Sequence, residues 1–253
     1  MKLTILGSGS LFPYPNRGNS GYLLECSEAT ILLDGGSGTL RRIADFGLDY
    51  SSIDIICYTH LHIDHTFDLI PFLFALKHDS KVKKPKRVKI IAPISFIQFF
   101  NKLYKIYYKW IHTKDIIIDI NELKPNDSIN INDIKVTAGN TKHTDNSLSY
   151  KINNSSSSFF YTGDTDFTND LVLTGKNSDM VLMECSFPDN NKVDNHLTPI
   201  ECGKLAQMIN CKKLILTHFF PINENNDDLI LRSVRKYYNG EIILANDGNT
   251  YIP

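Results

Sequence analysis

The chain has 253 residues, enough for one large domain or two small ones, with 42% hydrophobic and 22% charged residues. Its net charge of −1 excludes a global polyanion- or polycation-binding character. No apolar run approaches the ~20 residues that a membrane span needs.

The opening MKLTILGSGS has one lysine and a short apolar run broken by glycine, which is not a secretory signal. A cytoplasmic protein is therefore expected. KLTIL reads as a strand ended by the glycine-serine turn at Gly7 to Ser10. SGYLLEC and TILLD read as a hairpin. GSGTLRRIADFG then places Leu40, Ile43, Ala44 and Leu48 at helical spacing. IDIICYT is a buried-type strand that runs into YTHLHIDHTFDL, where three histidines and an aspartate crowd six positions. FDLIPFLFALK follows as a helix, with Pro71 near its start, where proline is tolerated.

RVKIIAP is a further strand, and residues 95–112 form an amphipathic helix. Phe96, Phe99, Phe100, Leu103, Ile106, Tyr107 and Trp110 share one face, and Lys102, Lys105 and Lys109 the other. Short strands are expected around 116–120, 128–131, 134–138, 147–152 and 158–162. In the last third, SDMVLMECSF, KKLILTHF and EIILAND contain strands. TPIECGKLAQMIN and DDLILRSVRKYY are helices, the first opened by Thr198 with Glu201 three residues on. Meanders interspersed with helices predict layered α and β structure with mixed sheets. No stretch reads as a boundary, so one domain over 1–253 is expected.

The charge is unevenly spread. Residues 77–114 hold eleven Lys or Arg and one acid, net +10, leaving the rest at −11. The lysines and arginine at Lys81, Lys83, Lys84 and Arg87 are candidate contacts to a phosphate backbone. His78 and His112 have no motif around them and read as surface residues. The five cysteines are widely spaced without a Cys-x-x-Cys pair, and read as buried hydrophobes rather than disulfides or thiolate ligands.

The polar residues fall at strand ends. IDIICYT runs into His60, His62, Asp64 and His65; IKVTAGNTK into His143; SFFYTG into Asp164; KKLILT into His218. If these ends converge on one edge, seven imidazole and carboxylate groups share a space. That is the ligand set of zinc and similar divalent ions. Seven ligands exceed one tetrahedral site and suit two metals bridged by a carboxylate.

The order His60-x-His62-x-Asp64-His65, His143, Asp164 in YTGDT, and His218 in LTHF resembles the metallo-β-lactamase superfamily. LGSGSLFPYPNRGNSGYLLE, ILLDGGSGTLRRI and MECSF...NHLTPIECGKLAQ...KKLILTHF resemble its ribonuclease Z branch more narrowly. The resemblance implies a four-layer αββα sandwich and hydrolysis of a phosphodiester, RNA among the possible substrates. It implies two Zn²⁺, with Mn²⁺ or Fe²⁺ as alternatives, and a homodimer.

By position, His60, His62 and His143 would bind one ion, Asp64, His65 and His218 the other, and Asp164 would bridge them. Asp64 would also help deprotonate the attacking water. His196 would protonate the leaving oxygen or stabilise the developing charge. Asp34 would orient a ligand histidine. Class B β-lactamases carry a cysteine in the place of Asp164, and the di-iron flavoproteins an acid in the place of His62. Ribonuclease Z carries a long tRNA-gripping arm between the positions of His143 and Asp164, where this chain has room for one hairpin. A hydrolase of small cyclic phosphodiesters, or of another ester or thioester, is therefore a competing expectation. A non-catalytic metal-binding protein is the remote one.

Overall fold

A computed structural model describes all residues, 1–253. The strands are β1 (Lys2–Gly7), β2 (Gly21–Glu25), β3 (Thr30–Leu33), β4 (Ile53–Cys57), β5 (Lys86–Pro93), β6 (Ile116–Leu123), β7 (Ser128–Ile131), β8 (Ile134–Asn140), β9 (Leu148–Asn153), β10 (Ser158–Tyr161), β11 (Met180–Glu184), β12 (Lys213–Thr217), β13 (Glu241–Leu244) and β14 (Thr250–Tyr251). The helices are α1 (Thr39–Asp45), α2 (Ile63–Thr66), α3 (Leu69–His78), α4 (Phe96–Ile111), α5 (Asn169–Gly175), α6 (Pro199–Ile209) and α7 (Asp227–Arg235).

The strands form two seven-stranded mixed sheets, ordered β14-β1-β2-β3-β4-β5-β6 and β13-β12-β11-β10-β9-β8-β7. Alternate residues of the facing strands, such as Leu3, Ile5, Tyr22, Ile55, Tyr150 and Leu182, pack between the sheets. The outer face of the first sheet packs Ile43, Phe72, Leu73 and Phe96 of its helices. The outer face of the second packs Leu171, Leu205, Ile209 and Val234. Helix, sheet, sheet, helix is the four-layer sandwich that the resemblance implies.

The expected elements recur within a few residues, with an unexpected short strand, β14, and three differences among the helices. Helix α5 was not anticipated: Thr168 caps it, accepting from the Asp170 backbone N–H, but the seven residues after the cap are too few to show a period. The histidine stretch, for which no element was expected, contains the single helical turn α2. In α4 the apolar face is only partly core. Phe96 and Phe100 are buried, whereas Tyr107 and Trp110 are 41% and 51% exposed.

Helix α6 opens on the expected capping box, in which Thr198 Oγ1 and backbone N–H both reach Glu201. Helix α1 begins at Gly38, which has no capping side chain. Asp68, just beyond the histidine cluster, supplies the carboxylate instead, accepting from the N–H groups of Gly38 and Leu40. That contact ties the cluster to the preceding segment.

Candidate metal centre

The parallel register of β3, β4 and β5 sends their C-terminal ends to one edge of the first sheet. Strands β10, β11 and β12 run parallel in the second sheet and end on the matching edge. His60 lies three residues after β4, His143 three after β8, Asp164 three after β10, and His218 directly after β12. The two sheets thus deliver the predicted side chains to one cleft.

His60, His62 and His143 offer ligand atoms within 4.8 Å of one another, and so do Asp64, His65 and His218. Asp164 stands between the two groups. Its Oδ2 is 3.9 Å from His60 Nε2, 3.8 Å from His143 Nε2, and 3.4 Å from both His65 Nε2 and His218 Nε2. Asp64 Oδ2 lies 3.8 Å from His65 Nε2 and 3.6 Å from His218 Nε2. The Nε2 atoms of His60, His65 and His218 and Oδ1 of Asp164 are buried without a hydrogen-bond partner. Four polar atoms orphaned in one place are costly unless something binds them, and a divalent ion fits this donor set.

The far sides of four of the rings are held. His65 Nδ1 donates to Asp34 Oδ2 at 2.8 Å. Asp34 also accepts from the Thr59 N–H, from Thr59 Oγ1 and from the Tyr161 hydroxyl. With its proton committed to Asp34, Thr59 Oγ1 accepts from His60 Nδ1 at 3.0 Å. One carboxylate therefore sets the tautomer of two histidines. His218 Nδ1 is 2.9 Å from Ser186 Oγ, which itself donates to Glu184. His143 Nδ1 donates to the Asn195 carbonyl at 3.0 Å. His60, His65, His143 and His218 all present Nε2 to the cleft, the arrangement of ligating histidines. His62 instead turns Nδ1 toward His143 Nε2, at 3.1 Å.

Backbone strain marks the same place. Asp34 and His218 have φ of 53° and 59°, a region that residues with a side chain seldom enter. Gly163, at φ 60°, precedes Asp164, and a Cβ there would lie 2.8 Å from the Thr59 side chain. Only glycine lets β10 turn into the cleft this tightly.

Charge follows the geometry. Burial and the neighbouring histidines hold His60 well below the usual imidazole range, and burial with His143 lowers His62. Burial disfavours charge on His65, but Asp164 and Asp34 overcome it and raise this group well above the ordinary value. Burial would raise Asp64, yet His218, its Nε2 3.6 Å away, and the charge of His65 lower it, so the carboxylate is ionised at neutral pH.

His196 lies at the edge of the centre, its ring 5.0 Å from that of His143 and 5.7 Å from that of His218. Its Nδ1 is 3.0 Å from Glu184 Oε1. Burial opposes charge on His196, but Glu184 outweighs it and pushes the group up to about 9. Glu184, to which the sequence reading assigns no role, is buried and also accepts from the N–H groups of Thr165 and Leu197. A signal for it was present, since Glu184 ends β11 as the other site residues follow their strands.

The structure does not bring Lys81, Lys83, Lys84 and Arg87 to this cleft. All four are exposed, and they precede or begin β5, whose far end, Pro93, lies at the site edge. At about 3.3 Å per residue, β5 separates Arg87 from that edge by roughly 20 Å. Lys84 Nζ turns back to the Lys77 carbonyl at 2.6 Å. Strand direction, which charge counting does not reveal, puts these residues at the opposite end of the sheet, where they could meet a phosphate backbone only at a distance from the centre.

The sequence profile described as Anti-Pycsar protein Apyc1 matches residues 1–232. The chain belongs to that family. It is 26% identical to the probable metallo-hydrolase YhfI of Bacillus subtilis over 98% of both chains. The crystal structure of YhfI superposes with a TM-score of 0.85, at 23% identity, over 99% of this chain and 98% of YhfI. The ribonuclease Z of Myxococcus xanthus is 22% identical over 99% of this chain and 97% of its own. The short form of human tRNase Z shares the fold at a TM-score of 0.80 and 22% identity, covering 100% of this chain and 99% of its own. This Apyc1-family chain is thus a metallo-hydrolase of the metallo-β-lactamase fold, and its His and Asp cluster is where the divalent metal implied by that family belongs. No helix is long and apolar enough to cross a membrane.

Proposed function

We propose that the chain is a phosphodiesterase working with a dinuclear zinc centre. The observation that carries this reading is Asp164 Oδ2 lying within 3.9 Å of histidines from both ligand groups, as a bridging carboxylate would. His60, His62 and His143 would hold one ion, Asp64, His65 and His218 the other. When bound, the ions supply Lewis acidity that stabilises charge on phosphoryl oxygens and acidifies water. Asp64, ionised at neutral pH, accepts the proton of the attacking water. His196, kept cationic by Glu184, gives a proton to the leaving oxygen.

A small phosphodiester, cyclic ones included, suits the cleft better than a precursor tRNA. Only the β9–β10 hairpin, closed by residues 154–157, spans the stretch between His143 and Asp164, so nothing extends out to grip a polymer. Lys81, Lys83, Lys84 and Arg87 lie at the other end of the sheet. The test is hydrolysis of bis-p-nitrophenyl phosphate and of a precursor tRNA by the zinc-loaded protein. Cleavage of the first alone is expected; cleavage of neither would sink the phosphodiesterase reading.

The pH profile follows from His196. As a general acid it must be protonated, so activity is present below its pKa and lost as pH rises through about 9. Glu184→Gln removes the carboxylate that holds this value up. The alkaline limb of kcat is expected to move down toward the ordinary histidine value of about 6.5. An unmoved limb would mean that His196 is not the acid.

A homodimer and a cytoplasmic setting complete the proposal. Between α3 and α4 runs an apolar groove of about 880 Å³, lined by Phe67, Phe74, Phe99, Tyr107 and Trp110 among others. A second copy covering it would explain why α4 leaves Trp110 half exposed. Trp110→Lys is expected to convert dimer to monomer in sedimentation velocity, with the melting temperature little changed.

A further inference from the structure

One aromatic surface next to the centre is unused by the reading above. The Phe220 ring lies 5.6 Å from that of His218 and 5.7 Å from that of His196. Phe187 stacks beside it at 4.4 Å and itself lies 5.5 Å from His196. Phe12 meets Phe220 edge-on at 5.6 Å and carries the wall outward, 49% exposed. Beyond Phe12 opens a cavity of about 540 Å³ whose lining includes Asp64, with Ile63 and Phe67 also on it. That volume is within the range of about 300–1,000 Å³ typical of small-molecule sites.

The loop that carries Phe12 is anchored. Asp247 accepts from the N–H and Oγ of Ser8 and from the Gly18 N–H, closing the loop at both ends. Asn19 Nδ2 donates to the Ser10 carbonyl inside it. The arginines of the cavity are already engaged. Arg17 bonds Ser8 Oγ at 2.7 Å and the Ala245 carbonyl, and lies over the Phe219 ring. Arg42 reaches Asp247 at 3.4 Å. With Arg42 ion-paired and the Arg17 side chain held by Ser8, Ala245 and the Phe219 ring, the cavity has a ring face to offer on a preset loop, beside the reacting centre.

We propose that Phe12, backed by Phe220 and Phe187, is the stacking surface for a planar aromatic group on the substrate, a nucleobase being the natural size, and that the adjoining cavity receives it. This rests on the phosphodiesterase reading, because a phosphodiester at the centre places one ester substituent against the wall. Phe12 is then a specificity-determining residue.

The test measures binding by the zinc-loaded protein, without turnover. Adenosine 5′-monophosphate and ribose 5-phosphate share the phosphate and sugar and differ in the base. Calorimetry is expected to show the first binding about tenfold more tightly, the difference a stacked base makes. Phe12→Ala is expected to erase that preference by weakening only the adenosine compound, and Phe12→Trp to retain it. Equal affinities in the wild type, no heat from either compound, or a preference untouched by Phe12→Ala overturns the proposal. Methyl p-nitrophenyl phosphate, which has no base, separates the two readings: its hydrolysis upholds the phosphodiesterase even where the base preference is absent. Phe12 is half exposed on a loop, so an unchanged thermal melt is expected for both variants.

Discussion

Asp34→Ala is expected to cost roughly 3–5 kcal/mol of stability, the cost of breaking a buried, charge-assisted network. The reason is the number of donors that converge on one fully buried carboxylate: the Thr59 N–H, Thr59 Oγ1, His65 Nδ1 and the Tyr161 hydroxyl. Alanine leaves all four without an acceptor in a place water does not reach. A loss of this size is a large share of the 5–15 kcal/mol that typical domains have in total. Asp34→Asn separates folding from metal binding. It fills the same volume and keeps one acceptor oxygen, but the other position becomes an NH₂ that faces donors. His65 and, through Thr59, His60 then lose the partner that fixes their protons on Nδ1. Zinc affinity is expected to fall about 10- to 100-fold in the folded Asn variant. Metal titration with a competing chelator, beside a thermal melt, reads the two effects separately. Asp34→Asn binding zinc as tightly as the wild type would show that the tautomers are fixed in some other way.

What made the site legible was the rule that chemistry collects where strands stop. His60, His143, Asp164 and His218 were readable because each follows an apolar run closely. Parallel neighbouring strands then put those endings on one edge. Glu184 obeys the same rule but sits within its strand as the final residue, and a lone acid after MVLM reads equally well as the start of a turn. Its function comes from partners distant in sequence, Ser186 excepted: Thr165, His196 and Leu197 converge on it only after β10 and β11 pair.

The position of the basic residues was hidden for a related reason. Composition records how many charges a segment has, while function depends on which end of a strand they occupy. The direction of β5, parallel to β4, carried Lys81 to Arg87 away from the histidines. Helix α4 shows a third limit. Its apolar stripe was correctly seen, but periodicity cannot distinguish a face buried in the chain's own core from one that remains open. The structure buries Phe96 and Phe100 near the site end and leaves Ile106, Tyr107 and Trp110 exposed further along. The groove next to that open stretch is where a second copy is proposed to sit.

Asp64→Asn is expected to lower kcat on bis-p-nitrophenyl phosphate by about 10²- to 10⁴-fold, the usual worth of a positioned general base. The carboxylate is well placed to be both ligand and base. It is mostly buried, lies 3.6 Å from His218 Nε2, and is held ionised by His218 and His65 against the opposing effect of burial. Asparagine matches its shape and can offer a neutral oxygen to a cation, but it cannot take up a proton. The two roles therefore separate when zinc is saturating. If Asp64 acts as the base, the variant regains its metal at high zinc, as read by elemental analysis, while kcat stays low. If Asp64 is only a ligand, added zinc restores both together. Recovery of full activity at saturating zinc would remove Asp64 from the proton-transfer step and leave that task to another group in the cleft.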